Sequence, residues 1–151
     1  MSDIDIREIA DCTCASLRRA TRRVTQFYDH ALAPAGLTAN QFSLLSHLYG
    51  AEMMKVGGMS VKSLAERLGM DPSTLTRNLK PLALKGLVAD HADPNDGRAR
   101  LIAITARGRS KLEKAVLHWR KAQNELNEKL GANAAQQLRS LLNASFTIFE
   151  T

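Results

Sequence analysis

The stretch SVKSLAERLGMDPSTLTRNLKPLALKG, residues 60–86, decides the fold of this 151-residue chain. Ser60 and Asp71 have side chains that cap the N-termini of helices. Gly69 and Gly86 each stand where a helix would end, because glycine adopts the left-handed conformation at little cost. Between these signals the apolar residues recur at helical spacing: Leu64, Ala65 and Leu68, then Leu75, Leu79 and Leu82. The stretch therefore predicts two short helices joined by a tight turn.

The second of these helices carries hydroxyl and basic side chains opposite its leucine face: Ser73, Thr74, Arg77 and Lys80, with Thr76 at the margin. Hydroxyls bond bases or phosphates, a guanidinium matches guanine, and an ammonium suits phosphate. A helix-turn-helix places its second helix in the DNA major groove, so these five residues are candidate DNA contacts. The alternative is an ordinary amphipathic helix with a solvated polar face. Pro81 lies inside the helix and is expected to kink its last turns.

A predicted β-hairpin follows directly. Its strands are LVADHA (87–92) and ARLIAI (99–104), and the turn sequence DPNDGR lies between them. At the tip of such a wing, Arg98 is expected to enter the minor groove, whose negative potential attracts a guanidinium. Asp96 is expected to hold the Arg98 side chain, and Arg100 to contact phosphate. The alternative for Asp96 and Arg98 is a surface ion pair worth at most about 1 kcal/mol.

Four further helices are predicted around this unit. Their expected bounds are about Ile6 to Ala33, Thr38 to near Gly50, Thr105 to Gly131, and about Asn133 to Phe149. Thr38 and Gln41 form a capping box at the start of the second of these helices. Residues 51–59, AEMMKVGGM, are expected to form a loop or a short strand. The fold class is thus mainly α with one small β-hairpin, a winged helix-turn-helix lobe beside a helical region.

The composition limits the possible functions. The formal net charge of +6 and the pI of about 9.7 favour an anionic partner such as nucleic acid. No apolar run approaches the roughly 18 residues of a membrane span, and the acidic start of the sequence is unlike a signal peptide, so we expect a cytoplasmic protein. No catalytic pair, phosphate-binding glycine loop or other cofactor motif is present, so we expect neither an enzyme nor a cofactor. The four histidines, His30, His47, His91 and His118, lack the spacing of a metal site.

Two stretches resemble the MarR family of bacterial transcription regulators, MSVKSLAERLGMDPSTLTRNLKPLALKGLV (59–88) and DPNDGRARLIAITARGRSKL (93–112). In the second, Asp96 and Arg98 match the acid–x–arginine pair of the family's wing. The resemblance implies a homodimer, with residues 1–36 and 106–151 as the helical dimerisation region and 37–105 as the DNA-binding lobe.

The resemblance also implies a palindromic double-stranded DNA operator. It implies repression of nearby genes, with release by a small phenolic or lipophilic effector or by an oxidant. An effector-independent architectural or docking protein that binds DNA is the alternative.

The stretch CASLRRATRRVTQFYDHALAPAGLT, residues 14–38, resembles the OhrR branch, which senses organic hydroperoxides. The resemblance places Cys14 on the reactive cysteine and Tyr28 on a tyrosine that bonds the thiolate across the dimer. Arg18 and Ala39 depart from the branch, which has tyrosines there. The alternative is that Cys12 or Cys14 is a small packing residue. A disulfide between the two is geometrically poor on one helix, because residues two apart point about 200° apart.

Overall fold

In the computed structural model, residues 4–150 form a mainly helical chain with one two-stranded antiparallel sheet. The elements are α1 (Ile6–Ala10), α2 (Thr13–Leu32), α3 (Ala39–Met53), α4 (Val61–Leu68), α5 (Pro72–Leu84), β1 (Val88–Asp93), β2 (Asp96–Ile104), α6 (Ala106–Leu130) and α7 (Ala132–Ile148). Residues 1–3 and 151, the outermost residues of the predicted terminal regions, lie outside the described part. The predicted fold class is confirmed. None of the helices within residues 4–150 is long and apolar enough to cross a membrane.

The first predicted helix is in fact two helices. It was expected to run unbroken from Ile6 to Ala33, but the structure ends α1 at Ala10 and starts α2 at Thr13. Cys12 between them has extended backbone angles, φ −65° and ψ 114°, and stands at the N-cap of α2. Asp, Cys and Thr all have low helix propensity, so the run Asp11 to Thr13 favours an interruption. The prediction missed the interruption because it used only the spacing of the apolar residues and not the low helix propensity of residues 11–13.

Helix α3 is longer than predicted. It passes Gly50 and ends at Met53, because one interior glycine costs only about 1 kcal/mol and Ala51 is buried in the core. The following loop then approaches the hairpin closely. A Cβ at Gly58 would lie 2.8 Å from the carbonyl oxygen of Ile102, and Met59 exchanges both backbone hydrogen bonds with Ile102. The expected loop or short strand is therefore a loop that ends in a single β-bridge to the wing.

The core lies where α3, α4 and α5 meet the base of the hairpin and the first half of α6. Its fully buried large side chains are leucines: Leu32, Leu44, Leu45, Leu48, Leu64, Leu75 and Leu82. Gly108 makes a close approach possible in the first turn of α6, since a Cβ there would lie 2.1 Å from the carbonyl oxygen of Leu87. The leucines predicted to face inward on α4 and α5 do so, except that Leu68 is only half-buried. This packing fixes helix α5 and the hairpin to one another.

The predicted caps are present. Ser60 Oγ accepts the backbone N–H of Ser63 at 3.1 Å, and Thr105 Oγ1 accepts that of Gly108 at 3.0 Å. Thr38 and Gln41 form both hydrogen bonds of the capping box. Gly69, at the end of α4, has the expected positive φ of 63°. These local signals set the ends of α4 and the starts of α3 and α6.

The terminal helices bury little of their apolar surface. Within the described residues, α1 has no buried residue, α2 has only Leu32 and α7 only Ala135. Phe146 of α7 nevertheless contacts the lobe. Its ring lies so close to Gly69 that a Cβ at that position would be only 2.8 Å away. The last helix thus contacts the turn that leads from α4 into α5.

Candidate nucleic-acid interface

Helix α5 presents two different faces. Leu75, Leu79 and Leu82 point into the core, whereas the polar side chains lie on the opposite side. The sequence-predicted residues of that polar side are exposed except for Thr74, which is half-buried: Ser73, Thr74, Thr76, Arg77 and Lys80. The helix runs through Pro81 to Leu84, so the interior proline lies after all five.

The start of α5 holds a dense hydrogen-bond cluster centred on Asp71. Its Oδ1 accepts the backbone N–H groups of Ser73 at 3.0 Å and Thr74 at 3.1 Å, and also the Ser73 hydroxyl at 2.5 Å. Its Oδ2 accepts the hydroxyl of Thr74. The hydrogen bonds from the Ser73 and Thr74 hydroxyls, together with those from the backbone, hold the pKa of Asp71 well below its usual range. This carboxylate therefore stays ionised throughout the physiological pH range.

All three hydroxyls of α5's polar side donate their protons inside the protein. Ser73 and Thr74 donate to Asp71, and Thr76 donates to the Pro72 carbonyl oxygen at 2.9 Å. A hydroxyl has one proton and two lone pairs, so only acceptor capacity remains for a ligand. In this arrangement the hydroxyls suit the amino groups of cytosine or adenine better than phosphate oxygens. The sequence alone had left both partners open.

The hairpin has a two-residue turn, and its second strand is longer than predicted. Asp93 pairs with Asp96 around Pro94 and Asn95, so β2 begins at Asp96 rather than at residue 99. Arg98 consequently lies in β2 and is exposed, within residues 97–99, for which the shifted register gives no partner on β1. The Asp96 carboxylate accepts the backbone N–H of Arg98 at 3.1 Å, so it binds the Arg98 backbone where we expected it to hold the guanidinium.

Arg100 is bound within the wing. Its Nε and Nη2 donate to Oδ2 of Asp90 at 3.0 and 2.9 Å. Both side chains are more than half exposed, so this surface pair is worth at most about 1 kcal/mol. Sequence reasoning missed Asp90, but the register of the two strands identifies it as a neighbour of Arg100. Ala92 lies opposite Arg100, and Asp90 is therefore its diagonal neighbour on the same face of the hairpin.

Helix α5 and the hairpin border a common cleft of about 530 Å³. Thr76, Arg77 and Lys80 line it from α5, and Ala89 and Asp90 line it from β1. The fold thus brings the central part of the predicted helix surface next to the predicted wing. The cleft offers two cations, Arg77 and Lys80, and the acceptor oxygen of Thr76 on one surface, which is the chemistry that a DNA groove requires.

Cys14 and Tyr28 are not brought together within one chain. Cys14 is exposed in the first turn of α2, and Tyr28 lies fourteen residues along the same helix, about 21 Å away. The Tyr28 hydroxyl donates to Gln123 Oε1 on α6 at 2.8 Å. Burial raises the pKa of Tyr28, and the positive charge of Arg139 opposes that shift. Among the described residues, no group of three His, Cys, Asp or Glu side chains could hold a metal ion.

Known proteins resemble this chain along most of its length. The family model described as MarR family matches residues 35–99, from the turn that follows α2 into β2. The multiple antibiotic resistance protein MarR of Salmonella typhimurium is 32% identical over 114 residues, 74% of each protein. The organic hydroperoxide resistance transcriptional regulator of Bacillus subtilis is 28% identical over 149 residues, 97% of this chain and 93% of that protein. A match to the Bacillus subtilis regulator YdgJ spans 62% of that protein's length.

A solved structure agrees with these relatives. The Mycobacterium tuberculosis transcriptional regulator MosR, in complex with DNA, has a TM-score of 0.75 and 36% identity, and the match covers 93% of this chain and all of that one. The overall fold found here is thus shared with a protein seen in complex with DNA. The chain belongs to the MarR family of winged helix-turn-helix proteins, which are DNA-binding transcriptional regulators and not enzymes.

Proposed function

We propose that this protein is a homodimeric, sequence-specific repressor that binds a palindromic operator with α5 in the major groove. The observation that carries the proposal is the exposed row of Thr76, Arg77 and Lys80, which lies beside the wing on a lobe with its own core. A protein 36% identical to this one is seen in complex with DNA. A regulator of this kind acts on the chromosome, so we place it in the cytoplasm.

The site residues have different roles in this proposal. Arg77 reads guanine and Lys80 binds phosphate, while Ser73, Thr74 and Thr76 offer hydroxyl oxygens to base amino groups. On the wing, Asp96 fixes the backbone and Arg98 enters the minor groove. Arg100 reaches a phosphate only if it leaves Asp90, so we assign it the weaker contact.

The dimer uses the helices on either side of the lobe. We assign residues 37–105 to DNA binding, and 1–36 with 106–151 to dimerisation. The support is the apolar surface that α2 and α7 leave exposed, including Leu17, Val24, Leu138, Leu142 and Ile148. A solvated helix needs no such side chains, whereas an interface with a second copy does. Two lobes then read two half-sites about one helical turn apart.

Release of DNA follows oxidation of Cys14 or binding of a small phenolic or lipophilic effector. In the oxidative route the Cys14 thiolate attacks an organic hydroperoxide, which leaves a sulfenic acid on Cys14 and frees the alcohol. Cys14 is exposed as this reaction requires, and one 28% identical relative is named for organic hydroperoxide resistance. In the dimer, Tyr28 would donate its proton to the Cys14 thiolate of the other copy only after giving up its hydrogen bond to Gln123.

Fluorescence anisotropy tests DNA recognition first. The reduced protein is titrated at physiological salt onto a duplex from its own upstream region and onto a scrambled duplex. Arg77→Ala should cost about 1–3 kcal/mol on the first duplex and reduce the preference for it, because Arg77 reads a base. Arg120→Ala, which removes an equal charge from the exposed side of α6, should leave the preference unchanged. If Arg77→Ala weakens both duplexes equally, Arg77 binds only phosphate.

The same titration tests the trigger after stoichiometric organic hydroperoxide is added. We expect release that dithiothreitol reverses, that Cys14→Ser abolishes and that Cys12→Ser preserves. Binding that ignores the oxidant would assign Cys14 to packing and leave a small phenolic or lipophilic effector as the trigger. Wild-type protein that binds both duplexes equally well would instead favour an architectural or docking role.

A further inference from the structure

An acid stands at the start of the proposed recognition helix, on the surface where DNA phosphates would approach. Asp71 is fully ionised and exposed there. Capping by itself does not require this charge, because Ser60 caps α4 and Thr105 caps α6 with hydroxyl oxygens. A carboxylate on this surface repels phosphate, so its presence calls for a role beyond the cap.

The two oxygens of Asp71 have separate tasks. Oδ1 makes the capping bonds to the backbone of Ser73 and Thr74 and also accepts the Ser73 hydroxyl. Oδ2 makes one side-chain contact, with the hydroxyl of Thr74. A single-oxygen cap such as serine would lack this second contact.

The bond between Thr74 and Asp71 is part of a chain of hydrogen bonds that links Asp71, Thr74 and Arg77, and it determines which way the Thr74 hydroxyl points. Since Thr74 donates its only proton to Asp71, its lone pairs are available to Arg77, whose Nη2 donates to Thr74 Oγ1 at 3.3 Å. Without such an acceptor, a hydroxyl in a helix can donate to the backbone carbonyl oxygen four residues earlier, as Thr76 does in the same helix. The strong hydrogen bonds that lower the pKa of Asp71 keep the acceptor charged at every physiological pH.

We propose that Asp71 is a positioning residue for base reading, which acts through Thr74 to hold the Arg77 guanidinium in one orientation before DNA binds. The inference rests on the proposed base-reading role of Arg77. An arginine that is already oriented loses less side-chain freedom on binding, which favours the duplex that has a guanine in the right place. The repulsion of phosphate by Asp71, in contrast, weakens all duplexes alike.

Asp71→Asn separates the two tasks. Asparagine caps a helix as well as aspartate, so one oxygen and the fold are kept. The second oxygen becomes an NH₂ group, which donates and cannot accept the Thr74 proton. Asp5→Asn is the matched control, because Asp5 caps α1 through a bond from the Arg7 backbone and the substitution makes the same charge change.

The readout on DNA is a ratio of two dissociation constants, for a scrambled duplex and for the tightest duplex selected from a random-sequence pool. Asp71→Asn should lower this ratio by about two- to tenfold, although affinity for the scrambled duplex rises as a negative charge is lost. In an Arg77→Ala background the same substitution should leave the ratio unchanged, since the residue it positions is gone. Asp5→Asn should leave the ratio unchanged in both backgrounds.

The readout without DNA is the NMR order parameter of the Arg77 side-chain Nε–H group in the free dimer. It should fall in Asp71→Asn and stay unchanged in Asp5→Asn. If the wild type shows no preference between duplexes, the base-reading function fails, yet the order parameter still tests the positioning contact. An unchanged ratio with unchanged Arg77 mobility in folded Asp71→Asn would overturn the inference. If Asp71→Asn does not fold, Asp71→Ser, which caps with one hydroxyl, carries the same test.

Discussion

The DNA-binding lobe and the terminal helices use similar apolar side chains in opposite ways. In the lobe, Leu45 and Leu82 are completely buried. In α7, Leu141 is 67% exposed and Ile148 is 73% exposed. Both regions have helices with apolar residues at helical spacing, so the pattern is the same and only the presence of a covering surface differs. The core of the lobe is therefore complete within one chain, whereas the apolar side chains of the terminal helices are left exposed, which is why we propose that these helices meet a second copy.

A charge placed on the apolar face of α7 tests that comparison most strongly. Leu142→Glu should convert the dimer to a monomer and weaken binding to a palindromic operator by about 100-fold or more, because the second half-site no longer binds intramolecularly. Light scattering after gel filtration reports the mass, and anisotropy reports the affinity. Gln137→Glu introduces a charge on the same helix at an exposed polar position and should preserve the dimer. A dimeric Leu142→Glu protein with normal affinity would place the interface elsewhere.

A pair of truncations compares the two regions directly. Leu45→Ala should lower the free energy of unfolding by about 2–5 kcal/mol, because it opens a cavity in the lobe core. Leu141→Ala removes the same atoms from an exposed position of α7, so any loss should come from the dimer and should grow smaller as the protein is diluted. Urea unfolding at two protein concentrations distinguishes these cases. Equal, concentration-independent losses would mean that α7 packs as tightly as the lobe.

Within the lobe, the two wing arginines are expected to differ. Arg98→Ala should weaken operator binding about three- to tenfold, since a groove-inserted guanidinium is lost. Arg100→Ala should have a smaller effect, because Asp90 already neutralises that charge. Anisotropy as a function of salt measures both variants, and circular dichroism checks that each is folded. A larger loss for Arg100→Ala would show that DNA displaces Asp90.

The smallest expected effect concerns a hydrogen bond between α2 and α6. Tyr28→Phe removes the hydrogen bond to Gln123 and should lower the free energy of unfolding by about 0.5–1.5 kcal/mol near pH 8. Burial raises the pKa of Tyr28 in the folded state, so its contribution is complete below the unfolded value of about 10 and is lost as the pH rises through the folded value. The two proteins should therefore converge in stability above pH 10. A constant difference across that range would mean that the hydroxyl does not ionise.

The parts of the candidate site that follow from local sequence were predictable. The caps at Ser60, Asp71 and Thr105 depend on one side chain and the backbone within three residues of it, so the residue type is enough. The leucine face of α5 follows from helical spacing, and the exposed face opposite it follows in turn. The Asp90–Arg100 pair was not predictable, because it depends on the strand register, and a shift between Ala92 and Asp93 separates that register from the pairing at the turn.

By itself, the sequence determined where most helices begin and end, which faces of α4 and α5 are apolar, and the resemblance to a family of DNA-binding regulators. Those properties depend on propensity, capping and periodicity, all of which act over a few residues. The tertiary structure decided that Arg98 lies in a strand, that Arg100 is held by Asp90, and that the hydroxyls of α5 donate their protons to acceptors within the protein. It also decided that the terminal helices remain largely uncovered. These properties depend on distances between side chains and on whether a second surface is present, and neither is contained in local spacing along the chain.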